Sequence, residues 1–149
     1  MLAREFERAL DFWSQVVDLD WHNVESGDCT IQLVDGTPDL FRIAGTTARA
    51  QFPDRANFQG WVAFNPAARL PAEEYFLVAV HEIGHLLGLS HSNSSASVMY
   101  FLELDGSVVV DADDLATLAK KHRLRRGLAI NSRGAIRVQQ PSLLTLLDF

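Results

Sequence analysis

The sequence predicts one α+β domain, in which a first helix is followed by short strands and then by two further helices. Three observations carry this prediction. Apolar residues recur at helical spacing near the start, short alternating runs broken by turn residues follow, and two helix-start signals come later. With 149 residues, 48% of them hydrophobic and 21% charged, the chain is long enough for one substantial core.

The first helix is predicted from an apolar stripe near the start of the chain. Its members recur every three or four residues and would share one helix face: Leu2, Phe6, Leu10, Trp13 and Val17. A helix with one apolar face buries that face against the rest of the domain. We therefore expect this helix to pack on the core.

Three candidate strands follow between residues 21 and 66. They are the runs from Cys29 to Val34, from Phe41 to Phe52 and from Phe58 to Phe64. The turn pairs Asp35-Gly36 and Pro53-Asp54 separate them. Cys29 is the only cysteine, which excludes an internal disulfide framework, and we expect it to be a small core residue of the first strand.

The second helix is predicted from its end signals. Pro71 suits the first helical position, and Glu73 and Glu74 in the first turn complement the helix dipole. The helix is apolar nearly all round, so we expect it to be buried. Gly88 is expected to end it.

A third helix is predicted to run from Asp111 as N-cap to Gly127 at its end. Beyond it, a hairpin is expected around Ser132-Arg133-Gly134. An apolar stretch follows Pro141 and contains five large apolar residues: Leu143, Leu144, Leu146, Leu147 and Phe149.

One motif at the end of the second helix carries the chemistry. The run His81-Glu-Ile-Gly-His85-Leu-Leu-Gly88-Leu-Ser-His91 matches H-E-x-x-H-x-x-G-x-x-H, which arises by chance in roughly one such chain in sixty thousand. Residues four apart share a helix face, so His81 and His85 can point at one ion, and Gly88 lets the chain return with His91. Three neutral nitrogens and one open position are typical of a catalytic zinc site. Glu82 is rotated away from the ligands, where it can act as acid and base.

These residues resemble the metzincin metallopeptidases, in particular the catalytic domain of matrixins. Met99 stands eight residues after His91, the matrixin spacing of the methionine-containing turn beneath the zinc, and Ser92 is typical of that branch. The resemblance implies a zincin-like domain with a small twisted, mostly parallel sheet, a buried active-site helix, a Met-turn and a C-terminal helix. It covers roughly residues 3 to 127. It divides the chain into a catalytic domain, 1–127, and a C-terminal extension, 128–149, packed on or near the same domain.

The resemblance also implies an activity and a cofactor. It implies a zinc-dependent endopeptidase that hydrolyses internal bonds of extended polypeptides, with Glu82 as general base and acid and with one catalytic Zn2+ ion. Thr47, Ala48 and Arg49 resemble the edge strand above the cleft, whose free backbone groups pair with substrate. A structural zinc and calcium are not expected. The family has a histidine where this chain has Arg49, and the region between the strands is short and poor in Asp and Gly.

Two alternatives use the same motif. A zinc-containing binding or assembly module with little or no proteolytic activity would not need a carboxylate at Glu82. A latent enzyme would place the apolar stretch after Pro141 in its own cleft, although packing on the domain's own surface is the expected arrangement.

Charge and hydropathy restrict the partners. The net charge of −6 argues against nucleic acid, and no apolar run approaches the roughly 18 residues that a membrane span needs. We therefore expect a protein or peptide substrate, no nucleic acid and no membrane partner. A monomer is expected, although the sequence leaves the oligomeric state open. The family resemblance implies secretion, whereas the chain shows neither a signal peptide nor a propeptide cysteine that could block zinc, so the localisation stays unassigned.

Overall fold

The computed structural model describes residues 2–25, 29–42, 46–54, 58–100 and 108–138. The α+β class is confirmed within these ranges. The elements in chain order are α1 (Leu2–Val16), β1 (Ile31–Val34), a 3-10 helix (Pro38–Phe41), β2 (Ala48–Asp54), β3 (Gln59–Phe64), α2 (Ala72–Leu86), β4 (Val109–Val110), α3 (Ala112–Lys121) and β5 (Ile136–Arg137). None of the described helices combines the length and the apolar character of a membrane span. The stretch after Pro141 lies outside the described residues.

α1 and α2 pack against each other at the centre of the core. The predicted stripe of α1 is confirmed in part, because Phe6, Trp13 and Val17 are buried while Leu2 and Leu10 are partly buried. The Trp13 indole donates a hydrogen bond across the interface to the Val80 carbonyl oxygen, at 2.9 Å. This bond fixes α1 relative to the helix that carries the histidine motif.

The predicted ends of α2 agree with the structure to within one residue. Pro71 is the N-cap, so it stands one position before the first helical residue. Gly88 has a φ of +103°, a left-handed conformation that glycine adopts without strain, and the helix ends just before it. The chain therefore leaves α2 sharply, which brings His91 back toward the helix.

The three-stranded sheet has the order β1-β3-β2 and is mixed. β1 pairs with β3 in parallel, with Ile31 opposite Gly60, whereas β2 pairs with β3 antiparallel, with Arg49 opposite Ala63. The resemblance implied a mostly parallel sheet. Only residues 55–58 connect β2 to β3, and such a short connection allows only antiparallel pairing.

Three predictions about the strands are wrong. Cys29 is exposed with a φ of +56°, so it lies before β1 and not in the core. The run that begins at Phe41 is not one strand, because residues 38–41 form a 3-10 helix and β2 begins only at Ala48. Pro53 lies inside β2 and does not end it. β2 is an edge strand of the described sheet with a register irregularity at that point, a position where proline is tolerated.

α3 begins as predicted and ends early. The Asp111 side chain accepts a hydrogen bond from the Asp114 backbone N–H at 2.8 Å, which confirms the N-cap. The helix ends at Lys121 and not at Gly127. The chain becomes extended there because Leu124 forms an antiparallel bridge with Val17 at the end of α1.

The predicted hairpin forms only its turn. Asn131 and Gly134 close the turn with a 3.0 Å backbone hydrogen bond, and Gly134 has a φ of +75°. The strand after this turn, β5, pairs with β4. Because β4 precedes α3 in the chain, this turn does not connect the two paired strands. Ala135, Ile136 and Val138 are buried, which places part of residues 128–138 in the core.

Candidate metal centre

Three histidines converge at the end of α2. His81 and His85 lie one turn apart on that helix, and His91 lies in the loop after it. Their candidate ligand nitrogens all lie within 4.8 Å of one another, and the Nε2 atoms of His81 and His85 are 3.1 Å apart. His81 is buried, His85 is half-buried and His91 is exposed, so the site opens from the core toward solvent.

Backbone carbonyls orient the two helical imidazoles. His81 Nδ1 lies 2.7 Å from the Val98 carbonyl oxygen, and His85 Nδ1 lies 2.8 Å from that of Leu89. A carbonyl oxygen only accepts, so each Nδ1 carries the hydrogen and donates it. In the neutral ring, Nε2 is then the bare nitrogen, which is the atom that each ring presents to the other.

This arrangement fits a cation between the rings. Burial lowers the pKa of His81 to about 4, with the neighbouring His85 and His91 adding to the effect, and burial also lowers the pKa of His85. Both rings are therefore neutral near pH 7, and two bare nitrogens 3.1 Å apart repel each other. Two nitrogens on a tetrahedral zinc ion are about 3.3 Å apart, since each Zn–N bond is about 2.0–2.1 Å. The His81–His85 pair thus matches zinc in chemistry and in spacing, and His91 offers a third nitrogen within 4.8 Å of both.

A turn around Met99 supports this face of α2. Met99 is fully buried, and a Cβ atom placed on Gly84 would lie 2.6 Å from its sulfur. Val98, the neighbour of Met99, supplies the carbonyl that holds His81. The Ser92 N–H donates to the Met99 carbonyl oxygen at 2.9 Å, so the turn is also bonded to the residue that follows His91.

Ser97 connects this turn to α3. Its hydroxyl oxygen accepts from the Met99 N–H at 3.0 Å, and its O–H donates to Asp114 Oδ2 at 2.7 Å. Burial raises the pKa of Asp114 to about 6, while the Ser97 hydrogen bond acts in the opposite direction. These roles of Ser97, Val98 and Leu89 cannot be predicted from the sequence, because a backbone carbonyl or a lone hydroxyl leaves no recognisable spacing pattern.

Glu82 follows His81 directly and is half-buried. Burial raises the pKa of its carboxyl group to about 7. A carboxyl group with a pKa near neutrality can both take up and release a proton, which is what acid and base catalysis requires.

The predicted edge-strand residues lie at the start of β2. Thr47 precedes the strand and its carbonyl oxygen accepts from the Asn65 N–H at 2.7 Å, while Ala48 and Arg49 begin it. The Arg49 guanidinium donates to the Leu40 carbonyl oxygen at 3.0 Å and so ties the 3-10 helix to β2. β2 packs against α2, and no described strand pairs with its outer edge.

Comparison with known proteins agrees with this geometry. The family described as Matrixin, peptidase M10, matches residues 1–122. Macrophage metalloelastase of Rattus norvegicus is 37% identical over 105 residues, which cover 64% of this chain and 22% of that protein. Matrix metalloproteinase-26 of Homo sapiens is 36% identical over 62% of this chain and 39% of its own length. Metalloendoproteinase 2-MMP of Arabidopsis thaliana is 36% identical over 71% of this chain and 32% of its own length. The chain thus spans well under half the length of these relatives.

Proposed function

The chain belongs to the matrixin family, and from this membership and the convergence of three imidazoles we propose that it is a zinc-dependent endopeptidase. His81, His85 and His91 are the proposed ligands, and Glu82 is the proposed acid and base. The proposed substrates are extended polypeptides that are cut at internal peptide bonds.

One observation carries the proposal. The Nε2 atoms of His81 and His85 are 3.1 Å apart while both Nδ1 atoms are bonded to carbonyl oxygens. A cation between the rings would make this pair of neutral imidazoles favourable. A candidate group of three histidines, with no fourth ligand residue among the described residues, supports a catalytic site over a structural one.

When bound, zinc supplies a Lewis acid that polarises the scissile carbonyl and lowers the pKa of water. The Glu82 carboxylate accepts a proton from the attacking water and then donates it to the leaving amine nitrogen. The carbonyls of Val98 and Leu89 keep the His81 and His85 rings in place during this exchange. Their role corresponds to that of the outer hydrogen-bond partners that orient ligands in metal sites generally.

The start of β2 is the proposed substrate strand. An extended peptide can add to the outer edge of a sheet through backbone hydrogen bonds. Ala48 and Arg49 lie on such an edge, and Thr47 directly precedes them. The Arg49 side chain is engaged with the Leu40 carbonyl, which supports a positioning role for it in holding the strand. The backbone is then the part of this segment that meets substrate.

Replacement of Glu82 by alanine tests the mechanism. We expect Glu82→Ala to keep its zinc, measured by elemental analysis after dialysis, and to lose casein or gelatin cleavage by about 10²–10⁴-fold. The matched control is Glu74→Ala, an exposed carboxylate in the first turn of the same helix, which should cleave normally. Undiminished cleavage by Glu82→Ala would end the proposal.

The same samples test the metal content and the alternative function. We expect one zinc per chain. That a structural zinc and calcium are not needed stays a prediction, and so do the monomeric state and the lack of nucleic-acid or membrane partners.

Digestion of a peptide library separates an endopeptidase from a zinc-bearing binding module, since a binding module produces no cuts.

A further inference from the structure

A broad groove lies between α1 and the sheet. Its volume is about 1030 Å3, and its walls come from α1, from β1 and β3, and from the described residues on either side of 26–28, between α1 and β1. Leu10 and Trp13 line the helical wall, and Ile31 and Leu33 line the strand wall. A mainly apolar groove of this size is at the upper end of the range in which proteins bind ligands and peptide segments.

The rim of the groove exposes apolar side chains. Among the residues that the structure describes, three large apolar side chains are exposed: Leu19 at 45%, Val24 at 54% and Ile130 at 51%. Leu19 and Val24 both belong to the groove. Exposed apolar residues gathered along one apolar groove mark a surface that another segment or molecule covers.

The groove is separate from the metal centre. Ile83 contributes to the groove from α2. It stands two residues from both His81 and His85, which places it about 160–200° around the helix from each of them. An occupant of the groove therefore leaves the histidine face of α2 open.

Residues 139–149 have the chemistry of such an occupant. The stretch begins directly after Val138, which is buried in the core, and holds four leucines and one phenylalanine with Asp148 as its only charged side chain. Eleven extended residues reach about 36 Å. A domain of this length has a radius of gyration of about 15 Å, so the stretch can reach the groove from Val138.

We propose that residues 139–149 dock in this groove and cover Leu19 and Val24. The segment then acts as an intramolecular partner of α1 and β1, on the side of α2 away from the histidines. This location deepens the expectation that residues 128–149 pack on the same domain, and it requires neither bound zinc nor cleavage activity.

Cys29 provides the probe for this docking. It is the only cysteine of the chain, it is exposed, and it lines the groove. We expect the 149-residue chain with Leu144→Asp and Leu147→Asp to react with a bulky maleimide several-fold faster than the unchanged chain, because charged residues leave an apolar groove. The matched control is Ile130→Asp, an exposed apolar site outside the groove, which should leave the rate unchanged.

Disulfide trapping gives a second readout that needs no disruptive substitution. Thr145→Cys should form an intrachain disulfide with Cys29 under mild oxidation, whereas Ser132→Cys, in the turn before β5, should not. Equal maleimide rates together with no disulfide above the Ser132→Cys level would overturn the proposal. Faster peptide cleavage by the Asp variant with an unchanged Cys29 rate would also overturn it, since the segment would then cover the metal cleft.

Discussion

The two faces of α2 show different ways of using one buried helix. On the histidine face, Nδ1 of His81 and of His85 is bonded to a backbone carbonyl, and the fully buried Met99 packs against Gly84. On the opposite face, Ile83 borders an apolar groove whose rim exposes Leu19 and Val24. The histidine face is organised by directional bonds that fix atoms, whereas the groove face offers mainly apolar area. A histidine cluster of fixed geometry and an apolar groove can therefore share one helix when they occupy opposite sides of it.

The largest expected effect comes from removing one proposed ligand. His85→Ala should weaken zinc binding by more than about 100-fold, because loss of a ligand costs at least as much as loss of an outer partner. His122→Ala is the matched control: its Nε2 also lies 2.7 Å from a carbonyl oxygen, that of Leu87 at the end of α2, but it is outside the triad. Zinc affinities are measured by chelator competition. Similar losses in both variants would show that carbonyl-anchored histidines in general, and not the triad, hold the metal.

Overpacking the Met99 contact should give the next largest effect. Gly84→Ala gains about 1 kcal/mol of helix propensity but places a Cβ atom 2.6 Å from the Met99 sulfur. We expect a net destabilisation of about 1–3 kcal/mol, measured by urea unfolding. In the double variant with Met99→Ala the clash with the sulfur is gone, so its destabilisation should be smaller than the sum of the single effects. Strict additivity would mean that the turn does not pack tightly on α2.

The smallest expected effect is a pH dependence at Asp114. Burial raises the pKa of this group to about 6, above the unfolded value of about 3.9, so the native state holds the proton more tightly. The contribution of the protonated Asp114 carboxyl group to the free energy of unfolding is fully present below about pH 4 and is lost as the pH rises through about 6. Relative to the unchanged chain, Asp114→Asn should therefore gain about 1–2 kcal/mol of unfolding free energy between pH 4.5 and 7.5. Asp113→Asn, at its exposed neighbour, should show no such gain, and an equal gain in both variants would contradict the assignment.

Sequence signals within a few residues correctly predicted those helix ends that neighbouring side chains determine. The start and end of α2, and Asp111 as the N-cap of α3, follow from side chains within one turn of the helix end. Elements with distant partners were predicted less well. α3 ends at Lys121 because Leu124 pairs with Val17, more than 100 residues away in the chain, and β5 pairs with β4 across α3. Neither pairing leaves a sequence pattern near α3 or β5 from which it could be predicted.

The sequence by itself determined the identity and spacing of the histidines, because helix geometry places residues four apart on one face and Gly88 returns the chain for His91. Tertiary structure decided which nitrogen each helical ring presents. That choice depends on the carbonyls of Val98 and Leu89, and the turn that contains Val98 is itself held by Ser97 and Asp114. The same holds for the groove, whose walls come from segments that meet only on folding. Covalent spacing fixes short distances in any chain with this motif, whereas hydrogen-bond partners and cavities exist only once remote segments have packed.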